Sequence, residues 1–337
     1  MPRTIVGLLA ATLVTTAVLA GQDPLYTLKV DVPLVTLDVI ATDAYGKTVD
    51  TLAATDFEIY ENGVRQEIRY FGPVSAPYNV LLLFDRSGST QNKWPLMQRA
   101  VAGFIANLRP QDRLAIDGFD SDLVSLVKWG DGRERALAAL AVLMQSKTGG
   151  STEFYRAIET SATREFKGVS GRRAIVALTD GRDSGTYKEV VNRNRIVDST
   201  RDRAFQKTLK TVREQRVPLY FIAVNTDRNL EPNEPGGDEF RSLRMLYPRS
   251  EIPDLYLEQV RGRMEQLSAA SGGRVLFPKQ FDDVVPLFTQ IGRELGTAYS
   301  LGYLASDKTG ERSLRRIEVR TKDPALKLTQ SRTGYER

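Results

Sequence analysis

The sequence contains no cysteine and no histidine. Without cysteine there is no disulfide, no thiol nucleophile, no iron–sulfur cluster and no thiolate zinc site. Without histidine there is no Ser-His-Asp catalytic triad. The missing disulfides do not argue against export, because a chain of 337 residues buries enough apolar surface to fold without them.

The sequence also lacks a concentrated block of basic residues. Its 47 basic and 42 acidic residues give a formal net charge of +5, and the two signs are mixed along most of the chain. Nucleic-acid binding usually needs a concentrated basic face. We therefore predict that the chain has no nucleic-acid partner.

Only the first twenty residues contain a long apolar run. Arg3 supplies a basic start, Ile5–Ala20 is apolar or small throughout, and Val18 and Ala20 fit the small-residue rule for cleavage before Gly21. The alternative is an uncleaved membrane anchor, but about 16 apolar residues are short for a bilayer crossing. We predict a signal peptide over residues 1–20, no stable membrane span after its cleavage, and an exported protein that is periplasmic, on the cell surface or secreted.

The rest of the chain divides into three regions by pattern. Residues 26–75 and 297–337 alternate apolar and polar residues and contain turn signals, among them Asn62–Gly63 between FEIY and QEIRYF, which predicts a hairpin. Neither region has enough strands to be stable alone. We predict that together they form one discontinuous β-sandwich, with residues 78–296 inserted between them; two unrelated β-appendages are the alternative.

Residues 78–296 alternate strands and helices. The predicted strands are YNVLLLFD, RLAIDGF, LVSLVKW, RAIVALT, PLYFIAV and RVLF. The predicted helices lie near 94–108, 133–144, 154–166, 188–215, 256–270 and 283–296. The segment Thr226–Pro253 has the composition of a surface loop. Consecutive apolar positions in the central strands are typical of a parallel sheet covered on both faces. The fold class predicted is α/β, with a doubly wound, mostly parallel open sheet.

Oxygen-bearing side chains follow two of these strands and precede one helix. The strand ending at Asp85 continues into Ser87 and Ser89, Thr152 follows Gly149–Gly150 just before a helix, and Asp180 ends another strand. The carboxyl ends of parallel strands are where open α/β sheets bind ligands. Two carboxylates and three hydroxyls suit Mg²⁺, or Mn²⁺, with water completing the octahedron.

Simpler explanations exist for several of these residues. The two serines can cap the helix that follows them, and Ser151 can replace Thr152 as the ligand. Asp120, Asp122 and Asp183 have the pattern of solvated loop carboxylates. Asp117 lies inside a strand that otherwise looks buried, and the sequence offers no reason for it.

These motifs resemble a known family. Asp-x-Ser-x-Ser at 85–89, Gly-Gly-Ser-Thr at 149–152 and Thr-Asp-Gly at 179–181 are similar to the metal-ion-dependent adhesion site of von Willebrand factor type A (VWA) domains. Five further segments resemble the von Willebrand factor A-related Acidobacterial domain family. They are the leader LVTLDVIATDAYGKTVDTLAATDFEIYENGVRQEIRYF and the segments AIVALTDGRDSGT, LSAASGGRVLFP, LGTAYSLGY and SRTGY. The usual Gly-Gly-Thr is interrupted here by Ser151.

The resemblance implies a site and a function. Ser87, Ser89 and Thr152 would be direct metal ligands, and Asp85 and Asp180 would act directly or through water. The chain would be a binding or adhesion protein rather than an enzyme, with the metal holding an acidic residue of a protein partner. The alternatives are a metal-assisted hydrolase and a structural envelope protein with a degenerate site.

Overall fold

The computed structural model describes residues 34–45, 47–87, 94–143, 151–226, 239–305 and 314–336. The strands are β1 (Leu34–Thr42), β2 (Phe57–Glu61), β3 (Val64–Gln66), β4 (Ile68–Gly72), β5 (Tyr78–Asp85), β6 (Arg113–Phe119), β7 (Leu123–Val127), β8 (Arg172–Thr179), β9 (Leu219–Ala223), β10 (Val275–Leu276), β11 (Tyr299–Leu304), β12 (Leu314–Thr321), β13 (Lys327–Gln330) and β14 (Gly334–Glu336). The helices are α1 (Trp94–Asn107), α2 (Arg133–Leu143), α3 (Phe154–Thr160), α4 (Ser184–Arg193), α5 (Arg203–Gln215), α6 (Glu239–Leu246), α7 (Ile252–Ser271) and α8 (Val284–Thr297).

The central sheet contains six strands in the order β10-β9-β8-β5-β6-β7. All neighbouring pairs are parallel except β6 and β7, which are antiparallel. Strand β5 is buried at all eight of its positions because it lies between β6 and β8 and is covered on both faces. Since β5 and β8 are parallel neighbours, the residues that follow them emerge at the same edge of the sheet.

Helices cover both faces of this sheet. On one face, α1 and α8 pack together, and the rings of Phe104 and Phe288 meet edge to face with centroids 5.9 Å apart. On the other face, α3, α5 and α7 enclose a second core that includes Phe154, Phe205 and Met264. The predicted doubly wound α/β sheet is confirmed.

The strands at the two ends of the chain form two antiparallel sheets, ordered β13-β1-β11-β4 and β14-β12-β2-β3. Strand β1 pairs with β11 and β13, and β2 pairs with β12, so each sheet contains both N-terminal and C-terminal strands. One apolar core lies between the sheets and contains Val39, Ile59, Leu301 and Val319, all at most 7% exposed. The two terminal segments therefore build a single β-sandwich, as the fold class predicted.

Three local predictions are wrong. The segment after the Asn62–Gly63 turn is two strands: β3 completes the hairpin, whereas β4 crosses to the other sheet and pairs with β11. The helix predicted over 188–215 is two helices, because Asn194 adopts a left-handed conformation that ends α4 and Asp202 caps α5. The segment predicted as a loop from Thr226 to Pro253 contains α6.

The predicted signal peptide lies outside the described residues, so its cleavage stays a prediction. Across the described ranges, no helix combines the length and the apolar character that a bilayer crossing requires.

Candidate metal centre

Asp85 is the last residue of β5 and is fully buried. Its Oδ2 accepts a hydrogen bond of 2.7 Å from the Thr179 hydroxyl at the end of β8, and its Oδ1 accepts one of 2.9 Å from the Ser87 backbone N–H. Thr179 in turn accepts a 2.9 Å bond from the Gly181 N–H. The Asp85 carboxylate is therefore held between the loops that follow two neighbouring strands.

Asp180 follows β8 and is 1% exposed. Its Oδ1 accepts a 3.1 Å bond from the Arg182 N–H, and the Arg182 guanidinium lies 3.7 Å from Oδ2. Gly181 adopts φ +72°, a conformation that favours glycine, and a β-carbon there would overlap the Met264 side chain. The carboxylate is thus held rigidly at the rim of the sheet.

The two carboxylates lie close enough to interact. The pKa of Asp85 is raised, first because the carboxyl is buried away from water and second because the negative charge of Asp180 is nearby. Hydrogen bonds from the Ser87 and Thr179 side chains lower it in part. Two buried like charges form an arrangement that a cation between or beside them would stabilise.

Thr152 is connected to the same edge through Ser184. The Thr152 N–H donates to the Ser184 hydroxyl at 2.8 Å, and the Ser184 N–H donates to the Thr152 carbonyl at 2.9 Å. Ser184 is four residues after Asp180 and begins α4. Thr152 is 8% exposed, and within the described residues its own hydroxyl donates no hydrogen bond. Its hydroxyl is therefore available to a ligand.

The loop after β6 closes the remaining side. The Arg86 N–H donates to the Phe119 carbonyl at 2.7 Å, and its guanidinium lies 3.7 Å from the Asp120 carboxylate. The Glu153 N–H donates to the Asp120 carbonyl at 2.9 Å. Asp120 therefore links the segment that carries Ser87 to the segment that carries Thr152.

The structure describes four of the five predicted metal ligands, namely Asp85, Ser87, Thr152 and Asp180, and brings them to one edge of the sheet. Ser89 lies outside the described residues, as do Gly149 and Gly150 of the glycine turn. Ser151, the alternative to Thr152, is half-buried and lacks the paired backbone bonds to Ser184. Ser87 is half-buried, and its side chain bonds Asp85.

The donors fit a hard divalent cation. Two carboxylates offset part of the charge of such an ion, and neutral hydroxyls of the kind present here, with water, complete an oxygen shell. Within the described ranges, no group of three or more carboxylates forms an alternative centre. The described ligands, two carboxylates and two hydroxyls, therefore fit a hard divalent cation of the magnesium type.

One carboxylate behaves differently from its prediction. Asp183, predicted as a solvated loop residue, is 8% exposed and caps α4: its Oδ1 accepts from the Gly185 and Thr186 N–H groups at 3.0 and 3.2 Å. Its Oδ2 also accepts from the Tyr155 N–H at 3.4 Å, which joins the starts of α3 and α4. An Asp followed by Ser-Gly-Thr is a helix-start pattern that the sequence offered.

A buried arginine supports the same two helix starts. Arg263 of α7 is 2% exposed, and its Nη1 donates to Asp202 at 2.7 Å, to the Tyr155 hydroxyl at 2.8 Å and to the Thr186 hydroxyl at 3.1 Å. Tyr155 lies three residues after Thr152, and Thr186 lies two after Ser184. The sequence carries no signal for this role, because Arg263 is one of several charged residues in a long helix.

The comparisons with known proteins agree with this architecture. Residues 79–246 match the family model of the von Willebrand factor type A domain. No curated protein matches the sequence.

The solved structures to which this chain is similar share little sequence with it. A von Willebrand factor type A protein from Catenulispora acidiphila is 12% identical with a TM-score of 0.44, over 91% of this chain and 74% of that one. The pilus adhesin SpaC from Lactobacillus rhamnosus GG is 9% identical with a TM-score of 0.47, over 87% of this chain and 49% of that one. Proximal thread matrix protein 1 from the mussel byssus, described with a zinc-occupied metal-ion-dependent adhesion site, is 14% identical with a TM-score of 0.44, over 70% and 49%.

Likenesses of this size carry no functional argument, so the family model and the architecture identify the chain. The matched segment contains five of the six strands of the central sheet, β5 to β9, together with helices α1 to α6. The chain is a von Willebrand factor type A domain protein, with the domain matched over residues 79–246.

Proposed function

We propose that this chain is an exported binding protein that holds a divalent cation with Asp85, Ser87, Ser89, Thr152 and Asp180 and uses it to bind an acidic residue of a partner protein. The cation proposed is Mg²⁺, or Mn²⁺. The observation that carries the proposal is the meeting of two buried carboxylates with hydroxyl-bearing loops at the carboxyl edge of the sheet.

The residue types favour binding of a carboxylate. Two carboxylates, acting directly or through water, leave a divalent ion only partly neutralised, and hydroxyls add oxygen donors without adding negative charge. A bound ion of this kind supplies a positive centre with an exchangeable position. The chain's own contribution is to fix Asp85 through Thr179 and to fix Thr152 through Ser184, so that these oxygens are positioned before a ligand arrives.

We propose binding rather than catalysis. Metal-assisted hydrolysis needs a base or acid placed to move a proton, and the chain has no histidine to serve. Arg86 and Arg182 lie beside the loops of the two aspartates, and a guanidinium group supplies hydrogen-bond donors but no acceptor. Both arginines are buried and lie beside carboxylates, Arg86 beside Asp120 and Arg182 beside Asp180.

We also propose a division of labour between two domains. Residues 78–296 would form the binding domain, and residues 26–75 with 297–337 would form a sandwich that presents it. The interleaved pairing of β1 with β11 and of β2 with β12 supports this division. Export through a cleaved signal peptide at residues 1–20 completes the proposal.

Capture of a partner tests the proposal directly. The protein is immobilised and exposed to envelope extract in Mg²⁺ or in chelator, beside Asp85→Ala and the matched control Asp122→Ala. Asp122 is an exposed aspartate on the loop after β6. We expect a partner that is retained in Mg²⁺ by wild type and control and is lost in chelator or with Asp85→Ala. Equal retention by wild type in Mg²⁺, by wild type in chelator, by Asp85→Ala and by Asp122→Ala would contradict a metal-held contact.

A further inference from the structure

A small cavity lies between the β-sandwich and the amino edge of the central sheet. Its volume is about 140 Å³, where a single water needs roughly 10–15 Å³ and drug-sized sites begin near 300 Å³. The cavity is lined from β1, β4 and β11, from the start of β8 and from the segment before β9. The polar lining residues are Thr36, Asp38, Tyr70, Tyr78, Arg172, Arg173, Arg216 and Ser300. Its size suits one small polar group.

Its position separates it from the metal centre. Arg172 and Arg173 begin β8, whose other end carries Thr179 and then Asp180. A strand of eight residues spans roughly 23 Å at 3.3 Å per residue. The cavity therefore lies at the opposite edge of the sheet and belongs to a different site.

One of the three arginines is fully used by the protein. Arg172 is 2% exposed, donates to the backbone carbonyls of Val74 and Ala76 at 3.3 and 3.1 Å, and places its guanidinium 3.9 Å from the centre of the Tyr78 ring. Its Nε also donates to the Ser300 hydroxyl at 3.2 Å. This arginine fixes the wall of the cavity and adds a positive charge to it.

The other two arginines have no anionic partner among the described residues. Arg173 and Arg216 are both half-buried, and neither side chain forms an ion pair or a hydrogen bond within those ranges. Burial lowers the pKa of Arg173, and the nearby Tyr70 raises it only in part. A cation that has lost part of its hydration without gaining a counter-ion is destabilised. Such a pair of cations favours an anion in the cavity.

The one carboxylate in the lining is already occupied. Asp38 Oδ2 accepts from the Tyr78 and Tyr220 hydroxyls at 2.8 and 3.2 Å, and Oδ1 accepts from the Ser300 hydroxyl at 2.6 Å. Asp38 therefore faces three hydroxyl donors and does not serve Arg173. Thr36 also lines the cavity, and its buried hydroxyl has no hydrogen-bond partner in the described part of the chain, so this hydroxyl is a donor without an acceptor there.

We propose that this cavity binds a phosphate group, either as inorganic phosphate or as the terminal phosphate of a larger molecule, through Arg173, Arg216 and the Thr36 hydroxyl. Three guanidinium groups against one carboxylate leave two positive charges, which a dianion balances and a single carboxylate ligand does not. The bound group would bridge β1 of the sandwich and β8 of the central sheet.

Calorimetric titration of the purified protein with sodium phosphate tests this proposal. Sodium acetate at the same ionic strength serves as the monoanion comparison, and glycerol 2-phosphate serves as the ester. We expect one saturable phosphate site, binding of acetate at least tenfold weaker, and a loss of at least tenfold in phosphate affinity for Arg173→Gln and for Arg216→Gln. Affinity for the ester equal to that for phosphate identifies a terminal phosphate group as the ligand; weaker ester binding identifies the free ion.

The matched control is Arg195→Gln, which removes an exposed arginine after α4 that forms no ion pair within the described residues and does not line the cavity. Its phosphate affinity should equal that of wild type. Thr36→Val provides a second variant that leaves the charge unchanged and should weaken phosphate by several-fold. The proposal would be overturned if wild type gave no saturable heat of phosphate binding, or if the control lost as much phosphate affinity as the cavity variants.

Discussion

The buried ion pair between Arg263 and Asp202 provides the sharpest energetic prediction. The pair is 2.7 Å apart, and both side chains are at least nine-tenths buried. Although burial lowers the pKa of Arg263, Tyr155 and Asp202 raise it by more, so the guanidinium stays charged in the fold. Arg263→Met leaves Asp202 buried without its cation and removes donors to Tyr155 and Thr186. Loss of one partner of such a pair costs about 3–5 kcal/mol.

A double-mutant cycle separates the contribution of this ion pair to the unfolding free energy from the cost of lost packing. Asp202→Asn should cost a similar amount, because it leaves Arg263 uncompensated. The double variant Arg263→Met with Asp202→Asn contains no buried charge at this position, so its loss should fall short of the sum of the two single losses by about 2 kcal/mol. Urea unfolding at pH 7 supplies the three values, with the exposed Arg195→Met expected within about 0.5 kcal/mol of wild type.

The same cycle reports on the metal centre. Arg263 holds Tyr155 and Thr186, which lie in the first turns of the helices that follow Thr152 and Ser184. Arg263→Met should therefore weaken Mg²⁺ binding, whereas Arg195→Met should not. A loss below about 1 kcal/mol for Arg263→Met, or strict additivity in the double variant, would refute the reasoning.

Three further predictions follow from other contacts. Thr179→Val removes the 2.7 Å hydrogen bond to Asp85 and the acceptor of the Gly181 N–H. We expect an unfolding free energy about 1–3 kcal/mol lower and weaker Mg²⁺ binding by calorimetry, and unchanged values would contradict this prediction. Burial raises the pKa of Asp117 to about 7, so the unfolding free energy of wild type should fall by up to about 4 kcal/mol between pH 4 and pH 8. The unfolding free energy of Asp117→Asn, measured in urea, should not show this fall, and parallel pH profiles for the two proteins would contradict the prediction. Deletion of residues 298–337 removes the partners of β1, β2 and β4, so the backbone amides of these three strands should lose their protection from hydrogen exchange, and protection equal to that in wild type would argue against the shared sandwich.

The sign of the Asp117 prediction follows from burial. Both oxygens are buried without a hydrogen-bond partner of normal geometry, although the Ser125 hydroxyl on β7 and Arg164 lower the pKa slightly. Because the folded pKa lies above the usual 3.8, stability is greatest below that value and is lost as the pH rises through about 7. The sequence offered no reason for an aspartate inside this strand, and the structure shows that its carboxyl group is buried with a raised pKa.

The central sheet was predictable because its signals are local. Strands β5, β8 and β9 are runs of consecutive apolar residues, and a parallel strand covered on both faces requires that pattern. The edge that carries Asp85 and Asp180 follows directly, because parallel neighbours end on the same side. Four predicted ligands could therefore be brought together before any coordinate was known.

Features that depend on distant pairing were not predictable. Strand β4 leaves its hairpin because β11, more than two hundred residues later, offers it an edge. The partners of Arg263 lie in three other elements, so its position in α7 gives no hint of its role. The split between α4 and α5 is different: Asn194 and Asp202 are a helix-end and a helix-start residue, and a closer reading of those local signals would have found it.

The central claim is a divalent cation held by Asp85, Ser87, Ser89, Thr152 and Asp180. The most direct measurement is thermal and chemical unfolding of wild type and Asp180→Ala across a Mg²⁺ titration, with Asp122→Ala as the exposed control. At a concentration about 100 times the dissociation constant, Mg²⁺ should stabilise wild type and control by about 2.7 kcal/mol and leave Asp180→Ala unchanged. A wild-type protein whose stability does not respond to Mg²⁺ or Mn²⁺ at any concentration would contradict the account.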